Sequence, residues 1–120
     1  MELIKRVSVM LQSNSLGRIA LTTTADVEEA RRLGRMLVEE RLAACVTLVP
    51  AVCSIYWWQG EIQSVNECLL LLKTSQDKLE ALESRLHELH SYKTPEFLVL
   101  PIEAGSQAYL DWMQNCLREA

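Results

Sequence analysis

The 120 residues come to 13.7 kDa, with 49% hydrophobic and 23% charged side chains, which suits one folded domain and excludes a disordered chain. Sixteen acidic residues against twelve basic ones give a net charge of −4, without the basic surplus or stripe that a nucleic-acid binder needs. No apolar run approaches the ~18–20 residues that span a bilayer. After Lys5 and Arg6 only Val7 to Leu11 follow, with Ser8 inside, which is short for a signal peptide and leads to the expectation of a cytoplasmic protein. Cys45, Cys53, Cys68 and Cys116 form no CxxC pair or compact metal-finger spacing, so they are expected to be free thiols that pack as small hydrophobes.

Residues 1–17 read as a weakly structured leader to a domain over 18–120. Arg18 to Thr23 follows as a short strand. Asp26 caps a helix, with Glu29 three residues later completing a capping box. Val27, Ala30, Leu33, Leu37 and Leu42 line one side of that helix, which is expected to run to about Leu42. Cys45 to Trp58 is a long strand, Gln59-Gly60 a two-residue turn and Glu61 to Thr74 the return strand. Ser75 is the expected cap of a second helix whose stripe is Leu79, Leu82, Leu86 and Leu89. Pro95 ends helical character, and Glu96 to Ile102 forms a strand. Gly105-Ser106 opens a last helix to about Leu117, with Tyr109, Trp112, Met113 and Cys116 expected inward. The order β-α-β-β-α-β plus a C-terminal helix is the split βαβ, ferredoxin-like arrangement of the α+β class, with the first and third strands central. Four consecutive leucines, Leu69 to Leu72, suit a strand covered on both faces.

The hairpin is too long for its domain. Fourteen residues at ~3.3 Å each reach about 46 Å, against a diameter of roughly 35 Å for a compact chain of this length. Pro50 marks the expected bend. Strict alternation places Val49, Ala51, Cys53, Ile55 and Trp57 on one face and Val46, Leu48, Val52, Tyr56 and Trp58 on the other. Both faces are apolar, so one needs a cover besides the two helices. The last helix could fold beneath the sheet, but ~12 helical residues extend only ~18 Å, so self-association is favoured. Pairing Trp58 with Glu61 also sets Cys53 and Cys68 diagonally on one face, about 7 Å apart.

The segment Glu39-Glu40-Arg41-Leu42-Ala43-Ala44-Cys45, then Ile55-Tyr56-Trp57-Trp58-Gln59-Gly60-Glu61-Ile62, Leu72-Lys73-Thr74 and His90-Ser91-Tyr92-Lys93-Thr94-Pro95-Glu96 resembles the CutA family of divalent-cation tolerance proteins. The likeness runs from about Arg18 to Leu117. It implies a PII-like homotrimer with extended hairpins, Tyr56, Trp57 and Trp58 in the trimer interface, and ligand clefts between subunits. It also implies copper or another divalent cation as ligand. Family members with a copper site carry a Cys at the end of the first strand and two adjacent His before a Pro-Tyr. Here Thr22 takes the Cys position, Leu89 one His position and Ser91 the Pro position, so only His90 remains of that set. His87, three residues earlier, shares a helix face with His90 and is the candidate substitute.

Lys73 and Thr74, ending the central strand, and Tyr92 and Glu96, leading into the last one, form a second candidate site: an ion pair or polar pocket at a subunit boundary. No Ser-His-Asp arrangement or phosphate-cradling glycine loop points to an enzyme. The central strands lack the aromatics that stack RNA bases. The expected function is a trimeric divalent-cation tolerance protein without enzymatic activity; the alternative is a PII-like small-molecule sensor or interaction scaffold.

Overall fold

A computed structural model describes residues 11–118. The elements are β1 (Leu11–Ser13), β2 (Gly17–Thr24), α1 (Val27–Glu39), β3 (Cys45–Trp58), β4 (Glu61–Ser75), a 3-10 turn (Gln76–Lys78), α2 (Leu79–Leu89), β5 (Leu98–Pro101), β6 (Ala104–Ser106) and α3 (Gln107–Leu117). The main sheet runs β3-β4-β2-β5, antiparallel throughout, which puts the first and third strands of the ferredoxin-like unit at its centre. The fold is therefore the expected one, and α1 and α2 cover one face. On that face Ala20, Leu70, Leu72 and Cys68 meet Ala30, Leu33, Leu37, Leu82 and Leu86. Each leucine so buried contributes ~1.5–3 kcal/mol of transfer free energy. Gly34 lets α1 lie against β3, since a Cβ there would meet Val46 Cγ1 at 3.1 Å.

The expected leader, residues 1–17, falls partly outside the described residues. Residues 1–10 are not among them, but Leu11–Ser13 pairs with Ala104–Ser106 in a two-stranded ribbon, and the Asn14 amide donates to the Glu103 carbonyl at 2.9 Å. Neither strand has a sequence signal, because three residues are too few to show alternation.

The first helix stops at Glu39, three residues before the expected end. Arg41 has φ 58°; its amide donates to Val38 O at 3.0 Å and the Leu42 amide to Leu37 O at 3.0 Å. This is a Schellman motif with arginine where glycine is usual. The guanidinium also donates to the Cys116 carbonyl at 2.8 Å, placing a cation at the C-terminus of α3. Leu42 thereby leaves the helix but still packs against the core. Arg41→Gly relieves the backbone and loses the α3 bond, so its stability should stay within ~1 kcal/mol of wild type, whereas β-branched Arg41→Val should cost about 2 kcal/mol. Urea unfolding of both variants checks this; equal midpoints would refute the strained cap.

Pro50 is the site of a one-residue β-bulge. Val49 pairs with Leu69 and Val52 with Glu67, leaving Pro50 and Ala51 opposite Cys68 alone. The bulge overturns the expected faces. Beyond it Cys53, Ile55 and Trp57 continue the helix side of Val46 and Leu48, while Val52, Tyr56 and Trp58 continue the open side of Val49. The turn pairs Trp58 with Glu61, and Gln59 and Gly60 both take positive φ, 51° and 81°, as a type I′ hairpin requires. Cys53 sits opposite Asn66, hence diagonal to Cys68; both are free thiols, Cys68 in the core and Cys53 exposed on the arm.

The arm extends beyond the helices. The long axis measures 56 Å and the radius of gyration 16.5 Å, against about 14 Å for a compact chain of this size. Ile55 and Trp57 are 70% and 71% exposed, and Trp58 and Ile62 also lie open. So does β5, four residues rather than seven, with Leu98 58% and Leu100 50% exposed on the face away from the helices. The last helix covers only one corner of that open side, with Leu110, Met113 and Leu117 turned inward around Ala44 and Ile102. Tyr109 and Trp112, expected inward, are exposed: an 11-residue helix seated on one corner buries a single stripe.

Candidate functional site

The end of β2 gathers most of the buried polar residues. Asp26 caps α1 as expected, its carboxylate accepting the Glu29 amide at 2.8 Å. The reciprocal half of the capping box is missing, because the Glu29 side chain turns inward. It accepts from Ser91 twice, from the amide at 2.8 Å and the hydroxyl at 2.9 Å. Glu67, on β4 at the base of the arm, is also buried and accepts from the Tyr92 hydroxyl at 2.8 Å. Burial first, then the bond to Glu67, hold the Tyr92 phenol well above the usual tyrosine range. Two carboxylates from two elements thus fasten the segment 91–97 that joins α2 to β5.

His90 is the centre of this junction. Its amide ends α2 by donating to Leu86 O at 2.9 Å, after which φ −79° and ψ 142° turn the ring toward the sheet. Nδ1 accepts the Tyr92 amide at 3.0 Å, so the ring proton sits on Nε2, which donates to the Thr23 carbonyl at 2.7 Å. That carbonyl lies beyond Leu21–Leu98, the last pair between β2 and β5. The Glu29 carboxylate lies 3.7 Å from Nδ1, but a ring nitrogen that accepts an amide proton carries no charge to pair with it. His87 is exposed on α2, so the two histidines are not brought together.

Thr22, at the expected cysteine position, is 0% exposed beneath the helices, and its hydroxyl has no partner among the described residues. An orphaned hydroxyl costs ~1–3 kcal/mol, so Thr22→Val should raise stability by about 1 kcal/mol. A urea midpoint that falls instead would show that the hydroxyl is satisfied. Leu89 is half-buried and packs on the core. Among the described residues no three His, Cys, Asp or Glu converge on a point that could hold a metal ion. The set Thr22, His87, Leu89 and His90 therefore does not fit copper, which needs soft or imidazole donors within bonding reach of one centre.

Lys73 and Thr74 lie at a different corner. Thr74 is buried and its hydroxyl donates to Leu42 O at 2.7 Å, a structural bond. Lys73 donates to the Tyr109 hydroxyl at 3.1 Å and sits 5.4 Å from that ring's centroid. The Tyr109 bond holds the ammonium pKa above its usual value. Cys45 is directly opposite Lys73 on the neighbouring strand, and Trp112 packs on Tyr109 with ring centroids 5.3 Å apart. The expected approach of Lys73 to Glu96 within one chain is not found. Register is the reason: Lys73 is level with Ile19 and Leu100, while Leu98 is level with Leu21, so Glu96 lies further toward the other end of the sheet. Tyr92 belongs with Glu67, and Glu96 is exposed. Tyr56, Trp57 and Trp58 are all exposed on the arm.

Glu67 was not singled out from sequence, and Glu29 only as the capping-box partner of Asp26. Glu29 has a signal, since it lies four residues before Leu33 and eight before Leu37 on the buried side of α1. Glu67 has none, because its burial depends on Tyr92, twenty-five residues away.

Known proteins share this fold. The CutA1 family, described as divalent ion tolerance proteins, matches residues 18–116. The divalent-cation tolerance protein CutA of Thermus thermophilus is 47% identical over 97 residues, which is 81% of this chain and 94% of that protein. The chloroplastic protein CutA 1 of rice is 39% identical over 102 residues, 85% of this chain; the chain spans only 58% of the rice protein's length. The structure of CutA from Synechococcus elongatus PCC7942 superposes with a TM-score of 0.87 at 39% identity, covering 90% of this chain and 96% of that one.

Proposed function

Since the chain belongs to the CutA1 family of divalent ion tolerance proteins, we propose that it serves tolerance to divalent cations as a homotrimer, with its open sheet face and projecting arms closed by neighbouring copies. One observation carries the assembly: apolar side chains stand exposed on both the arm and β5, at two separated places that no element among the described residues covers. A folded monomer seldom leaves large apolar patches in water. The relatives are named for tolerance and not for a reaction, and we propose no enzymatic step. No resident metal is assigned to the His90 position. A cation that acts on this protein would be held by donors from more than one subunit or at exposed side chains.

Mass measurement by light scattering tests the assembly. Three chains of 13.7 kDa should appear as about 41 kDa at micromolar concentration. A mass of one chain would overturn it. Growth of a deletion strain under excess copper, zinc or cadmium, with and without the gene restored, tests the tolerance role separately.

A further inference from the structure

We infer that His90, the one residue of the expected copper set that this chain keeps, is not a metal ligand here but a positioning residue that closes the free end of β2 and fixes the segment leading to β5. The inference rests on family membership only for the expectation it contradicts; it is independent of the oligomeric state.

Three observations carry it. First, both ring nitrogens are occupied: Nε2–H donates to Thr23 O at 2.7 Å and Nδ1 accepts the Tyr92 amide at 3.0 Å. A metal bond at ~2.0–2.1 Å uses a nitrogen lone pair, so binding at Nε2 would expel its proton and leave the Thr23 carbonyl without that donor. Binding at Nδ1 would displace the Tyr92 amide. Second, the ring is fully buried, with the Tyr92 ring 4.8 Å away between centroids. The remaining polar contacts of the segment are spent on Glu29 and Glu67. Third, the neighbouring expected donor positions are closed to a cation. Thr22 Oγ1 is buried with no polar partner among the described residues, and Leu89 is packed on the core. A hard oxygen and a hydrocarbon cannot replace the soft donors that select copper.

The two bonds of His90 tie the end of β2 to the segment that follows α2. β5 pairs with β2 only from Arg18 to Leu21, and past that point His90 takes the place of a strand partner. The amide of Tyr92 is then held by the same ring, so the path from α2 to the exposed Leu98 is set at its first step.

The test uses the full chain with copper(II) and zinc alone as probes. Calorimetric titration of wild type and His90→Gln should give the same heat and stoichiometry, with affinities within about twofold of each other. Nitrogen-15 spectra of the imidazoles should show His90 as the Nε2–H tautomer, unmoved by an equivalent of zinc. Loss of that tautomer on adding zinc, or a heat present in wild type and absent in His90→Gln, would overturn the inference. For the positioning role, hydrogen exchange at the Tyr92 amide should be slow in wild type, faster by more than about tenfold in His90→Phe, and partly restored in His90→Gln, whose carboxamide can donate and accept. Unchanged Tyr92 exchange in a folded His90→Phe would equally refute it. If His90→Phe does not fold, the tautomer measurement on wild type still decides.

Discussion

A chain carrying Leu98→Asp and Leu100→Asp should run as a single subunit near 13.7 kDa at concentrations where the wild type is about 41 kDa. Both leucines project from the open face of β5, opposite Leu21 and Ile19, and neither belongs to the core beneath the helices. Within one subunit their replacement removes little buried surface, so the far-ultraviolet circular dichroism should be unchanged. In the assembly each carboxylate would have to leave water for an apolar contact, and an uncompensated buried charge costs several kcal/mol. Repeated at every equivalent interface, that exceeds what subunit contacts of ordinary size provide. Light scattering on the two proteins decides the matter. A double variant that keeps the wild-type mass would show that β5 stays outside the interface and that the arm alone joins the copies.

The second large effect is expected inside the subunit. Glu29→Ala removes the acceptor for both the amide and the hydroxyl of Ser91. Hydrogen bonds to a charged group contribute about 1.5–3 kcal/mol each, so the variant should lose about 3 kcal/mol and melt ~10 °C below wild type. Glu29→Gln, which keeps one acceptor oxygen, should recover about half of the loss. Glu28→Ala, on the exposed side of the same turn, should melt with the wild type. Coincident melting of Glu29→Ala and Glu28→Ala would mean that the buried carboxylate does not hold the segment.

Periodicity reveals the main sheet and its helices because each has a strong apolar pattern: Leu82 and Leu86 on α2, Leu33 and Leu37 on α1, Leu70 and Leu72 on β4 are all fully buried. The excess length of the hairpin was equally legible, since it follows from residue count and rise per residue. Side-chain direction was not. A single bulge at Pro50 reverses every assignment beyond it, and a proline marks only that pairing is irregular, not how many residues the irregularity adds. The early end of α1 depends on Arg41 adopting a conformation that its side chain does not announce. The outward turn of Tyr109 and Trp112 depends on where α3 docks, and a hydrophobic stripe does not say which part of it the docking covers.

The candidate site was legible only in part. His90 stood out by its place in a motif, but its role rests on which proton its ring carries, and that is set by the Tyr92 amide and the Thr23 carbonyl. The pairing of Lys73 with Glu96 failed for want of register: two strand ends adjacent in topology can lie at opposite ends of a sheet. Lys73 found Tyr109 instead, thirty-six residues later in the chain.

The two-against-one pairing at Pro50 and Ala51 sets a rule for how this hairpin can change in length. Deleting Ala51 would remove the extra residue, set Pro50 alone opposite Cys68 and leave Val52 opposite Glu67 and Cys53 opposite Asn66, so Ile55, Trp57, Tyr56 and Trp58 would each keep the side they now hold. The arm would lose one small residue and its irregularity, yet present the same pattern to whatever it touches. A change of one residue should therefore be tolerated at the bulge, whereas elsewhere along the arm insertions and deletions should come in even numbers or bring a compensating bulge of their own.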